Sequence, residues 1–209
     1  ARFFQASSAE MYGEAESIIT EETTQFAPLN PYGASKLAAH LTVYNWRHQY
    51  NLFACRGILF NHESPLRESD MVTKKIISGA ARVHLGLIKR IELGDIEVAR
   101  DWGFAGDYVE AMWRMLQQDQ PRDFVICTGK SLSIKDFIKE VFLYVGIHNW
   151  RRYIQINPSF FRKSEIRSMR GSNKKIKSAL RWRPKIDLRR LIKIMVDHEL
   201  TKLNDSSKH

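Results

Sequence analysis

Apolar and polar positions along this chain repeat with two alternating periods. Arg2 to Ala6 reads as a short strand, which breaks into the polar run Ser7-Ser8-Ala9-Glu10, and a loop continues to Pro31. From Tyr32 to Tyr50, alanines, leucines and valines recur every three or four residues, the period of a helix. Asn30-Pro31 suits its entry, with Asn as cap and Pro in the first turn. Leu52 to Phe60 predicts a strand, Asn61-His-Glu-Ser-Pro65 a loop, and Val72 to Leu87 a helix closing near Gly86. Ile91 to Gly94 and Asp101 to Gly103 read as short extended pieces, and Gly106 to Gln117 as a second amphipathic helix. Phe124 to Thr128 predicts a strand, Ser133 caps a helix from Ile134 to Val145, and Tyr153 to Ile156 is strand-like. Two helices follow, around Ser172 to Leu180 and Leu188 to Leu200, before a polar tail over 204–209.

Strands alternating with helices in this way point to parallel βαβ units. The runs Leu52–Phe60 and Phe124–Thr128 are apolar on both faces, as strands buried inside a parallel sheet are. With 209 residues, 44% of them hydrophobic, the chain can bury the core of one domain and a smaller lobe. No stretch approaches the roughly 20 apolar residues of a membrane-spanning helix. Cys55 and Cys127 lie alone in apolar runs and read as small buried hydrophobes in a reducing, cytoplasmic compartment, with neither a zinc cluster nor a disulfide framework.

The net charge of +10 concentrates after residue 150, in Trp150-Arg-Arg-Tyr, Arg167-Ser-Met-Arg, Asn173-Lys-Lys-Ile-Lys and Asp187-Leu-Arg-Arg. Such an excess favours an anionic partner, and a solvated basic face remains open beside it. Aromatics are not interleaved with the basic residues as a base-stacking platform would need, so nucleic acid is not expected as a partner; a membrane is not expected either.

Pro31-Tyr-Gly-Ala-Ser-Lys36 puts Tyr32 and Lys36 on one helix face, one turn apart. An ammonium beside a phenol favours the phenolate, so such a tyrosine can act as a base. Alone, the spacing is also that of a solvated helix pair. Ser8 and Glu10, at the end of the preceding strand, change its meaning. A hydroxyl for a carbonyl or alkoxide, a tyrosine base and a lysine suit hydride transfer from a carbinol to a nicotinamide. The carboxylate adds a group that can remove a proton alpha to the new carbonyl.

The segments QASSAEMYG (5–13), PLNPYGASKLAAH (28–40), GILFNHESP (57–65), VTKKI (72–76), RDWGFAGDYVEAMWRMLQ (100–117), FVICTGKSLSIKDF (124–137) and WRPKIDLRRLIKIMV (182–196) go further. Together they resemble the extended short-chain dehydrogenase/reductase family and, within it, the GDP-mannose 4,6-dehydratases, from Arg2 to about Leu200. The resemblance implies an α/β fold: a partial Rossmann-type parallel sheet with a smaller C-terminal substrate-binding lobe. The implied division is 1–60 with 105–128 for the dinucleotide-binding domain, 61–104 with 129–203 for the substrate lobe, and 204–209 as tail.

It also implies the chemistry: Ser8, Glu10 and Tyr32 act on the sugar with Lys36 in support, and the cofactor is NADP. Tyr32 would take the proton of the mannosyl 4-hydroxyl while hydride passes to NADP⁺, and Glu10 would then remove the C5 proton as water leaves from C6. Tyr32, Lys36, His62 and Arg67 match cofactor-contacting positions. Asn61, Lys75, Arg100, Arg162 and Glu165 match positions that contact the sugar nucleotide. The implied substrate is GDP-mannose, in the GDP-fucose route, and the implied assembly a homo-oligomer, with Met11, Tyr12 and Trp102 as packing.

Two departures stand against the family pattern. The Gly-x-x-Gly-x-x-Gly turn that cradles a dinucleotide pyrophosphate at a helix N-terminus is absent from these residues. The first strands are absent with it, so the expectation is a partial sequence with an open sheet edge, unable by itself to bind NADP tightly or turn over. Near the C-terminus, Lys163, Arg167 and Ser172 stand where the family has proline and acidic residues. Two other readings remain from the residues: an epimerase or 4-ketoreductase of the same fold, and a non-catalytic homologue that acts as a binding partner.

Overall fold

The computed structural model describes residues 1–15, 18–20, 24–162 and 164–206. In chain order the elements are β1 (Phe3–Ser8), α1 (Pro31–Tyr50), β2 (Ala54–Leu59), β3 (Asn61–Glu63), α2 (Val72–His84), β4 (Ile91–Leu93), β5 (Ala99–Arg100) and β6 (Trp102–Phe104). They continue with α3 (Ala105–Leu116), β7 (Phe124–Ile126), β8 (Leu132–Ser133), α4 (Ile134–Tyr144), β9 (Ile154–Ile156), α5 (Lys174–Leu180) and α6 (Leu188–Ser206). Contacts divide the chain into two compact units, one of residues 1–62, 99–131 and 164–185, the other of 63–98, 132–163 and 186–209.

In the first unit β1, β2 and β7 form a parallel sheet in that order. Phe3 pairs with Ala54 and Ser8 with Leu59 across one ladder, and Gly57 pairs with Phe124 across the other. Side chains alternate between the two faces of a strand. Phe4, Cys55, Phe124 and Ile126 pack with Tyr108, Ala111 and Met115 of α3 and with Ile176, Leu180 and Trp182. Ile58, Val125 and Cys127 pack instead with Ala9, Met11 and Tyr12, with Leu37 of α1 against them. The sheet is thus covered on both faces, which is why β2 and β7 read as apolar throughout. Burying each such side chain stabilises the fold by roughly 1.5–3 kcal/mol. Both cysteines are buried, as expected. Among the described residues β1 is an edge strand, with Phe3 half exposed.

The exception inside β2 is Arg56, buried in the sheet. Asp123 neutralises it: its carboxylate accepts from Arg56 Nε at 2.9 Å and Nη2 at 2.6 Å, and from both terminal nitrogens of Arg47 at 2.8 Å. Burial works to raise the Asp123 carboxyl, and the hydrogen bonds of the two arginines outweigh it and hold the group low.

In the second unit β4 pairs in parallel with β9, Ile91 opposite Ile154. Gly79 of α2 lies so close that a Cβ there would stand 2.5 Å from Ile91 Cδ1. A buried ion pair, Lys74 Nζ to Glu199 Oε2 at 2.7 Å, ties α2 to α6.

Several expectations change. β1 runs on through Ser7 and Ser8, whose hydroxyls are buried and hydrogen-bonded. Residues 61–63 form a strand where a loop was expected, and α6 continues to Ser206, taking up half of the expected tail. By their contacts, residues 164–185 pack in the first unit, with Ile166, Met169 and Trp182 buried in its two cores. Lys163 and residues 207–209 lie outside the described residues.

Candidate active site

The polar run after β1 forms a single 3-10 turn, Ala9–Tyr12, that Ser8 caps. Ser8 Oγ accepts the Glu10 N–H at 3.2 Å, so one lone pair of the hydroxyl is committed to shaping this turn. Met11 and Tyr12 drive into the core beneath and fix its orientation, Tyr12 stacking on Phe26 with ring centroids 5.0 Å apart. Glu10 remains at the surface side of the turn, half-buried.

From there one hydrogen-bonded chain leads into α1. Asn30 Nδ2 donates to Glu10 Oε2 at 2.9 Å, and Asn30 Oδ1 accepts the Gly33 N–H at 2.8 Å as the helix cap. Gly33 must be small here, since a Cβ would lie 2.6 Å from the Glu10 carbonyl oxygen. Tyr32 follows the cap with its ring half exposed. One turn on, Lys36 Nζ donates to Ala6 O of β1 at 3.0 Å and lies 5.6 Å from the centroid of the Tyr32 ring. Ser8, Glu10, Tyr32 and Lys36 are therefore brought together where β1 ends and α1 begins.

Another turn along the same face, His40 is buried, and its Nδ1 lies 2.7 Å from Ser7 Oγ. Burial pushes the imidazole down to about 4; the nearby Arg56 adds to this and Asp123 opposes it. A neutral imidazole thus pins α1 to the strand residue next to Ser8.

A sequence model of the family described as GDP-mannose 4,6 dehydratase matches residues 1–195. The chain belongs to this family. It is 47% identical to GDP-mannose 4,6 dehydratase 1 of Arabidopsis thaliana over 95% of this chain and 55% of that protein. To the GDP-mannose 4,6 dehydratase of Homo sapiens it is 40% identical, over 99% of this chain and 60% of that protein. The chain thus spans little more than half the length of these relatives. Among solved structures, RMD from Pseudomonas aeruginosa complexed with NADPH superposes with a TM-score of 0.87 at 26% identity, covering 97% of this chain and 67% of that one. The Rossmann-type α/β class expected from the sequence holds.

The remaining residues singled out by the dehydratase resemblance fall in both units. In the first, Asn61 opens β3, and His62 lies flat against Tyr108, ring centroids 4.7 Å apart, with Nδ1 2.8 Å from the Phe60 carbonyl. Arg100 meets Glu165 Oε1 at 2.6 Å and also donates to the Ile166 and Ala99 carbonyls, so its guanidinium is held by three acceptors. In the second unit, Arg67 pairs with buried Glu63 at 3.1 Å, Lys75 lies 4.6 Å over the Phe160 ring, and Arg162 is exposed.

Two residues carry more than the sequence reading assigned them. Asn30 is a cap, as expected, and also the partner of Glu10. Asp101 is fully buried and accepts from Thr128 N and Oγ1, Gly129 N and Lys130 N, tying down the turn that follows β7. An acidic residue directly before the apolar Trp102 in Arg100-Asp-Trp-Gly was the available signal for that tie.

Proposed function

We propose that this chain carries the catalytic and sugar-nucleotide-binding part of an enzyme that removes water from GDP-mannose, giving GDP-4-keto-6-deoxymannose for GDP-fucose synthesis. The observation that supports it is the cluster of Ser8, Glu10, Tyr32 and Lys36, joined through Asn30 and the Ala6 carbonyl. In this reading Ser8, with one lone pair serving the Glu10 amide, donates a hydrogen bond to the sugar oxygen at C4 and keeps its proton. Tyr32 takes the C4 hydroxyl proton, with the Lys36 ammonium stabilising the charge that develops on the phenol oxygen. Glu10 removes the C5 proton, acidified by the new ketone, and passes it to the hydroxyl leaving C6 as water; C5 regains a proton drawn from solvent when the hydride held by the cofactor is given back at C6.

An exposed phenol beside an ammonium on one helix face fits the nicotinamide-ribose end of NADP, and the bound cofactor supplies the reversible uptake of a hydride. Tyr32, Lys36, His62 and Arg67 would hold it. A pyrophosphate-cradling glycine turn is not among these 209 residues, so tight binding needs that turn from elsewhere. Asn61, Lys75, Arg100, Arg162 and Glu165 are assigned to GDP-mannose, which gives part of the basic excess a use. The buried thiols suit a cytoplasmic enzyme. Exposed Leu41, Trp46 and Tyr50 on α1 suit a homo-oligomer paired through that helix.

Glu10→Gln tests the assignment, with a dinucleotide-binding segment of a relative joined to the chain. The expected variant still reduces NADP⁺ with GDP-mannose yet releases no dehydrated sugar. Unimpaired dehydration by the variant refutes it.

A further inference from the structure

The carboxylate that removes the C5 proton must stand at a set distance from the tyrosine that oxidises C4, and the structure holds a residue able to set it. We propose that Asn30 is the positioning residue for Glu10, an inference that rests on the dehydratase reading above. The amide orientation follows from its partners. The Gly33 N–H can only donate, so it faces Oδ1, and Nδ2 must then face the carboxylate, which accepts at 2.9 Å. One side chain therefore closes the first turn of α1 and grips Glu10, while Tyr32 lies two residues further along the same backbone. The close approach at Gly33 completes the clamp, leaving no room for a side chain between the helix and the Glu10 carbonyl. Glu10 Oε2 is the gripped oxygen, and Oε1 is the one that receives the proton.

This role can be separated from capping. Serine caps a helix about as well as asparagine but is too short to reach the Glu10 carboxylate, and aspartate caps equally well while opposing a carboxylate with a carboxylate. A hydrogen bond to a charged group corresponds to roughly a 10- to 100-fold effect. Asn30→Ser is therefore expected to keep the melting temperature and the KM for GDP-mannose, and to lose roughly 10- to 100-fold in dehydration kcat. Asn30→Asp should lose more.

The decisive readout combines Asn30→Ser with Glu10→Gln, where only hydride transfer to NADP⁺ remains measurable. A positioning role for Glu10 leaves that hydride transfer unchanged by Asn30→Ser. An equal loss in both backgrounds, or no loss of dehydration in either Asn30 variant, overturns the proposal. On this chain alone, the Asn30 side-chain amide resonances in the nuclear magnetic resonance spectrum should shift on Glu10→Ala. Resonances that stay in place overturn the tether whether or not the protein turns over, whereas a shift in a protein without dehydratase activity sinks only the assigned reaction.

Discussion

Acidification should loosen the first unit through His40. The residue is 3% exposed, its Nδ1 lies 2.7 Å from Ser7 Oγ, and the Phe26 ring meets its ring edge-on with centroids 5.5 Å apart. The charged groups facing it are Arg56, Asp123 and Arg47, and burial, reinforced by Arg56, brings the imidazole from 6.5 to about 4. A histidine whose folded pKa is depressed binds its proton more weakly in the native state than in the unfolded chain. Its contribution is therefore intact above the unfolded value, declines as pH falls from 6.5 toward 4, and levels off below that. With these two values the loss relative to about pH 7 is about 1 kcal/mol at pH ~5.5 and about 2 kcal/mol at pH ~4.5. Asp123, held low, loses its contribution only below the ordinary carboxylate range, whereas Glu63 and Asp101, raised by burial, work in the opposite sense. His40→Asn, which keeps a polar atom toward Ser7, isolates the histidine. Urea unfolding of both proteins at the three pH values should show the original chain losing about 2 kcal/mol more than the variant on reaching pH ~4.5. Equal losses would refute the buried neutral imidazole.

Other consequences follow from the same contacts. Asp123→Asn strands two arginines in a buried site and should cost roughly 3–5 kcal/mol of stability in urea unfolding; an unmoved midpoint would mean that Arg47 and Arg56 are solvated. Gly33→Ala puts a methyl 2.6 Å from the Glu10 carbonyl, and should cost about 1–3 kcal/mol and displace the Glu10 amide resonance. A wild-type spectrum for that variant would contradict the close approach. Asp101→Asn removes acceptors from a turn held by one carboxylate, so hydrogen exchange at the amides of Thr128, Gly129 and Lys130 should quicken. Unchanged protection there would assign the turn's order to other contacts.

The elements with strong periodicity were legible. α1 is found over Pro31–Tyr50 with its Asn cap, and Ser133 caps α4, accepting from the Asp136 N–H. The buried strands β2 and β7 were legible because covering a parallel sheet on both faces leaves no polar alternation. What escaped has a common cause, partners distant in sequence. Ser7 looks like the start of a loop until His40, 33 residues away, supplies its hydrogen bond. Arg56 looks out of place in β2 until Asp123 arrives 67 residues later. The 164–185 segment carries a dense basic pattern that masks Ile166, Met169 and Trp182, the residues that decide where it packs. The candidate site was legible in kind, because Tyr32 and Lys36 are neighbours on one helix. The tether from Asn30 to Glu10 was not, since spacing says nothing about which way a capping amide points.

The central claim is that Glu10 and Tyr32 form one dehydratase centre. It is tested most directly by supplying the chain with a relative's dinucleotide-binding segment and following GDP-mannose with NADP⁺ in heavy water by mass spectrometry. The account predicts a nucleotide sugar lacking one water and carrying solvent deuterium at C5, with both signals lost in Glu10→Gln. A folded protein that binds GDP-mannose yet forms no dehydrated sugar, or forms one without deuterium at C5, would contradict it.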